Sequence, residues 1–382
     1  MIYYFIFFGL CFFINKLTKH NKVVRTILII ALFAFLCFGY MTGSDWRAYE
    51  MDYMSKSFDR AAILGEVGFV HVSKFFSSFI SDFWLYAGLM KCIYLLSLIL
   101  LIRVFTKNVY ATIAISFSNS LLFMLIDCPM RFMMALSIVF FGVYLFFRYD
   151  KKTVRILAIL IVLMSIYMHK VSVVVVFLLS LGFLSTKATK VKPTAVFALF
   201  LIMLVLAGNS GVFDYLFASV VPILDADRFD SYTGAELSSI YTFGTLKYII
   251  YLLIILFYKD VIINSSKYGH LVYFYTILFY ILYPITARVP TLFRINIAYG
   301  IFADISLVCI LYSHLKFHKY ISFASKAVIL LSVIYVLFQN CRDNYKITPY
   351  SNSIQYIISG EHLPYTYRDT YNELHHDDEF LY

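Results

Sequence analysis

Asp45, Trp46, Arg47 and Tyr49 crowd into "YMTGSDWRAYE" (Tyr40 to Glu50), at the end of the apolar run "ILIIALFAFLCFGY". An acid, a guanidinium and two rings at that spacing could carry chemistry, since a carboxylate can act as a general base. Similar groups stand at other ends of apolar runs. Glu66 precedes "GFVHVSKFFSSFI", Arg131 opens a tight turn in "DCPMRFMMALS", His169 and Lys170 close a helix in "YMHKVSV", and Arg288 and Arg294 flank a proline in "TARVPTLFRINIAY". An ionisable group at lipid depth costs about 2.5–3.5 kcal/mol on insertion scales, so it persists with a partner or a task.

The residue types divide the work. Arginine presents a planar fork that fits phosphate oxygens, so Arg288 and Arg294 could face one anion. Asp45, Glu66 and His169 can exchange protons, and Arg131, Trp46, Arg47, Tyr49 and Lys170 complete the polar set. Plainer roles compete. Tyr49 suits an interfacial belt, Arg47 and Lys170 can snorkel, and Arg288 and Arg294 can anchor lipid headgroups. Arg131 and His169 stand nearly alone in tight turns where Gly, Asn or Ser would serve, and this favours function. Mid-span Asp304 and Lys91 invite a buried ion pair, and Lys247 lies a turn or two inside its own span.

The elements that must position these groups are membrane helices. Of 382 residues, 62% are hydrophobic, 19% aromatic and only 14% charged, against about 25% charged in a soluble domain. Apolar runs near 2–15, 25–41, 83–102, 109–126, 132–147, 156–169, 171–185, 194–208, 241–258, 270–286, 295–313 and 321–338 predict about twelve spans. The opening "MIYYFIFFGLCFFINK" has no basic residue ahead of its apolar run and no small-residue cleavage pattern, so it reads as the first span rather than a removable signal.

Lysine and arginine set the orientation. Alternate loops hold Lys16, Lys19, Lys22 and Arg25, then Arg103 and Lys107, the 148–155 cluster, Lys187, Lys190 and Lys192, Lys259 and Lys267, and Lys316 and Lys319, with only Asp150 and Asp260 against them. That set is the predicted cytoplasmic side. The acids gather on the opposite side in loops 42–82 and 209–240 and in a tail from 339 to 382. The expected organisation is an all-α polytopic membrane protein with a membrane domain over 1–338, an acidic outer C-terminal tail over 339–382, and an amphipathic interfacial helix in Gly68–Ile80.

Several classes drop out. The net charge of +10 is distributed between spans, which reads as topology and not as a nucleic-acid face. Six scattered cysteines lack zinc or redox spacing, and there is no Walker loop or dinucleotide fingerprint. "DAD" (Asp225 to Asp227) and "HHDDE" near the C-terminus carry little weight as metal sites, so no metal and no cofactor is expected.

The ordered set "GSDWRAY" (Gly43 to Tyr49), "EVGF" (Glu66 to Phe69), Arg131 with Ala135, His169 with Ser172, and Arg294 with Tyr299 resembles the Wzy/EpsG-type bacterial polysaccharide polymerases. The resemblance implies a GT-C-like inner-membrane glycosyltransferase. It would join undecaprenyl-pyrophosphate-linked oligosaccharide repeat units into O-antigen, capsule or exopolysaccharide on the periplasmic face, with membrane lipid and a chain-length regulator as partners. On that resemblance Arg131, Arg288 and Arg294 would bind pyrophosphate, Asp45, Glu66 or His169 would act as base, and Trp46, Arg47, Tyr49, Lys170 and Tyr299 would contact sugar or acceptor. The family's proline in "E-P-G-Y" is a valine here. Two other classes compete: a lipid-linked oligosaccharide flippase, which would line a midplane cavity with ionisable groups, and an acyltransferase, for which His169 would face the wrong side.

Overall fold

The structure, a computed structural model, describes residues 2–17, 21–43, 45–63, 65–209, 242–287, 290–313, 319–342, 347, 350–364 and 366–370. Arg288, Asp225, Asp227 and the "HHDDE" run lie outside the described residues. Within them every regular element is helical. Lipid offers backbone groups no water, so an apolar segment closes its own hydrogen bonds by coiling. Phe83–Phe105 shows the rule, with two basic side chains, no acid and no proline in 23 residues.

The helices, in chain order, are α1 (Ile2–Lys16), α2 (Lys22–Cys37), α3 (Trp46–Ser55), α4 (Asp59–Ile63), α5 (Val67–Ser77), α6 (Phe83–Phe105), α7 (Val109–Ser116), α8 (Met130–Arg148) and α9 (Lys152–Met168). They continue as α10 (Ser172–Ser180), α11 (Ser185–Ala188), α12 (Pro193–Gly208), α13 (Phe243–Phe257), α14 (Lys259–Ile263), α15 (Gly269–Thr286), α16 (Pro290–Leu311), α17 (Lys319–Cys341) and α18 (Ile354–Ser359). Each apolar run singled out in the sequence falls on a helix. Five of these, α6, α8, α15, α17 and the Phe293–Leu311 part of α16, are long and apolar enough to cross a membrane. The chain is a multi-pass membrane protein.

The helices form two units. The first comprises residues 1–104, 108–172 and 333–382, the second residues 105–107 and 173–332. In the first, α7 runs into two π-helical turns, Phe117–Leu121 and Phe123–Asp127, before the left-handed Cys128 and the turn into α8. Wide turns of this kind are common beside functional sites.

Helix α2 ends with carbonyls that no helical turn can satisfy, and the C-terminal segment takes them up. The Tyr350 hydroxyl donates to the Phe35 carbonyl at 2.7 Å, the Asn352 amide to Ala34 at 2.8 Å, and the Ser353 backbone N–H to Phe38 at 2.7 Å. Tyr356 then stacks on Tyr40, with centroids 4.3 Å apart. So this part of the acidic tail is docked on the first unit.

In the second unit the polar interior is shared between helices. Thr276 on α15 hydrogen-bonds Ser306 on α16 at 2.8 Å, and Tyr251 on α13 bonds Ser332 on α17. The charge of Asp304 acts on Lys247, both within this unit. Lys91 belongs to the first unit, next to the hydrogen-bonded thiols of Cys37 and Cys92.

Candidate active site

In the first unit Glu66 is the hub. It precedes α5 as its N-cap residue, makes no side-chain capping bond, and is only 3% exposed. One carboxylate oxygen pairs with His169 Nδ1, and the other accepts from Arg131 Nη1 at 2.5 Å. Arg131 also donates from Nε to the Tyr49 hydroxyl at 3.4 Å. Loop, turn and helix-end residues that are 65 and 103 positions from Glu66 thus meet on one carboxylate.

Local sequence explains how each arm arrives. Gly65, with φ at +71°, makes the left-handed step between α4 and α5, a conformation that costs glycine nothing. Gly68 then lets α5 lie directly on the end of α9: a Cβ there would stand 2.9 Å from the Tyr167 carbonyl oxygen. His169 follows α9 as its C-cap in extended backbone, and its N–H still bonds to Ser165 at 3.2 Å. The Phe132 ring meets the imidazole edge-on at 5.6 Å and closes one side. Gly68→Ala should therefore push α5 from α9, destabilise by about 1–3 kcal/mol and slow turnover. Gly9→Ala, where nothing stands within 4 Å of the new methyl, is the control, and melting curves of both variants in detergent provide the check.

The electrostatics keep the hub ionised. Burial by itself pushes the Glu66 carboxyl up. The His169 hydrogen bond, the His169 charge and the Arg131 charge and hydrogen bond outweigh it, and the net pKa falls below the ordinary carboxylate value. An ionised Glu66 accepts the Nδ1–H of His169 and leaves Nε2 as the basic nitrogen. Tyr49 titrates above the usual tyrosine range because of burial, which the Arg131 guanidinium only partly offsets, so it is a neutral hydroxyl. The cluster holds a base oriented by a carboxylate, a guanidinium whose Nη2 no described residue takes, and a phenol. That is the equipment for moving a proton next to an anion.

The other sequence candidates sit elsewhere. Asp45 is the exposed N-cap of α3 without a side-chain capping bond, and its charge reaches the Tyr49 hydroxyl. Trp46 is 8% exposed and packs against Trp84 at 5.4 Å, with the Arg47 guanidinium 5.2 Å over its ring. Arg47 is ion-paired with Asp369 of the C-terminal segment. Lys170 is exposed, its stem alongside Gly65.

Arg294 is half-buried on α16 in the second unit. Tyr299, on the same helix, is fully buried and donates its hydroxyl to the Val175 carbonyl at 2.5 Å. One partnership was missed in the sequence. Glu50 is buried and accepts from the Trp84 indole N–H at 3.1 Å. The spacing of Trp46, Glu50 and Tyr53, all buried on one face of α3, was the available signal.

Among the described residues no group of His, Cys, Asp and Glu has the arrangement of a metal site. No curated protein and no solved structure matches the chain. The sequence model of the EpsG family matches residues 22–352, a range that holds the "GSDWRAY" and "EVGF" segments, Arg131, His169 and Arg294. The chain belongs to the EpsG family.

Proposed function

We propose that the chain is a glycosyltransferase that polymerises undecaprenyl-pyrophosphate-linked oligosaccharide repeat units into a surface polysaccharide on the periplasmic face of the inner membrane. About twelve crossings in a GT-C-like arrangement would carry it. Membership of the EpsG family supports a polymerase-like membrane protein. The single observation that carries the chemistry is the buried Glu66 carboxylate holding His169 on one oxygen and Arg131 on the other.

In this reading the acceptor hydroxyl gives its proton to His169 Nε2 while its oxygen bonds the anomeric carbon of the donor. The anomeric carbon–oxygen bond to the pyrophosphate breaks, and its electron pair leaves on the phosphate oxygen. Glu66 stabilises the imidazolium and fixes its ring, as a positioning residue. Arg131 compensates the charge on the pyrophosphate, and phosphate contact is proposed separately for Arg288 and Arg294. Tyr49, Arg47 and Lys170 are the acceptor-side contacts, with Asp45 as an accessory carboxylate. The lipid-linked donor arrives activated, so no cofactor is invoked.

Reconstitution in proteoliposomes with lipid-linked repeat units tests the proposal. The expected result is a ladder of longer glycans with release of undecaprenyl pyrophosphate. Movement of the lipid across the bilayer without any elongation would replace the polymerase by a flippase.

A further inference from the structure

Between α11, α12 and α15 of the second unit lies a cavity of about 190 Å³ that the proposed chemistry does not use. Its wall includes Val191, Ala195 and Leu199 on one side and Tyr273, Ile277 and Ile281 on the other. The last three repeat at i, i+4 and i+8 and therefore share one stripe of α15. Val191 and Leu199 in its wall are 42% and 43% exposed, so it is a groove open at the surface, with room for a segment of hydrocarbon and not a whole lipid.

Its mouth is polar in a specific way. Lys259 Nζ donates to the carbonyl of Val191 at 3.2 Å and stands 5.8 Å over the Tyr273 ring, so both of its contacts are residues of the cavity wall. An ammonium has three donors, and two of the three are left after the Val191 bond. The Tyr273 hydroxyl is buried and has no hydrogen-bond partner among the described residues, a state that costs free energy unless a ligand supplies an acceptor. The segments around the mouth, 181–195 and 258–273, contain Lys187, Lys190, Lys192, Lys259 and Lys267 against the single acid Asp260, whose charge also reaches Tyr273. An apolar slot beneath an excess of ammonium groups matches a hydrocarbon tail beneath an anionic head.

We infer that this cavity is a binding site for an anionic glycerophospholipid, with one acyl chain in the slot and the headgroup phosphate on Lys259 and the Tyr273 hydroxyl. The lipid would act as a structural ligand that joins α12 to α15 and would contribute no group to the transfer reaction. The neighbouring Lys187, Lys190 and Lys192 would add a salt-sensitive attraction.

The test uses the purified full chain in detergent, with phosphatidylglycerol and phosphatidylcholine of identical acyl chains, and counts bound lipid by native mass spectrometry. Phosphatidylglycerol is expected to be held in preference to phosphatidylcholine, with Lys259→Gln weakening it about fivefold, the effect of one lysine at a charged headgroup. Ala195→Trp, which fills the slot, should abolish retention of either lipid. Equal binding of the two lipids by the wild type would overturn the inference, and so would an unchanged preference in Lys259→Gln. Tighter binding of undecaprenyl phosphate than of phosphatidylglycerol would reassign the slot to the polyprenyl carrier. Efficient cross-linking between cysteines placed at Ala195 in two copies would reassign it to a subunit interface.

Discussion

On the proposed polymerase function, His169→Ala is expected to lower elongation by about 10²–10⁴-fold, the usual contribution of a positioned general base, and to leave short glycans where the wild type would make long ones. The imidazole is the one candidate base whose orientation is set by a buried partner, since Glu66 holds Nδ1 and thereby assigns the basic lone pair to Nε2. Asp45 has no comparable support: it is exposed and makes no side-chain capping bond. Asp45→Asn therefore costs far less than His169→Ala. Product length on gels and release of undecaprenyl pyrophosphate, both measured at matched protein levels, check the pair. Full-length polymer from a normally expressed His169→Ala protein would end the assignment, and a larger loss in Asp45→Asn would transfer the role.

Glu66→Ala should be the most destabilising single change in the first unit. Removing one partner of a buried ion pair costs about 3–5 kcal/mol, because the other charge stays in place without compensation. Here Arg131 loses the group that neutralises it, and His169 loses the acceptor of its Nδ1–H. Glu66→Gln keeps the volume and one acceptor oxygen, so it should fold better and still turn over slowly, since a neutral amide does not stabilise an imidazolium. The folded-state pKa of Glu66 lies below its ordinary value of 4.5. Its stabilisation is thus fully present above that value and is lost as the pH falls through the lower, folded-state one. Wild-type melting temperature should drop on acidification through that window, while Glu66→Gln, with nothing to protonate there, should lack this component of the drop. Parallel acid titrations of the two proteins would refute the link.

The docked C-terminal segment constrains the chain between α2 and α6. Arg47 is engaged by Asp369, and His362 bonds Asp82 at 2.9 Å, so charges that looked like a free fringe after α2 are partly neutralised within the chain. Neither pair is fully buried, and contacts of that kind contribute little to stability. Their consequence is geometric, because they fix where the loop carrying Asp45 and Tyr49 can lie.

Helix formation in this protein was legible along the sequence because it depends on local properties: runs of apolar residues, the charges that end them, and the requirement that backbone groups in lipid bond to one another. The side-chain types of the site were legible for a related reason. Glu66, Arg131 and His169 are costly at a membrane boundary and stand out against an apolar background.

Which of these groups meet was decided by the tertiary structure alone. Gly68 allows α5 to touch α9, and this contact joins Glu66 to a histidine 103 positions away. No periodicity encodes a contact of that range. For the same reason the burial of Trp46 and Tyr299 was not legible along the chain, since an aromatic ring serves a core and a sugar equally well and only its neighbours distinguish the two.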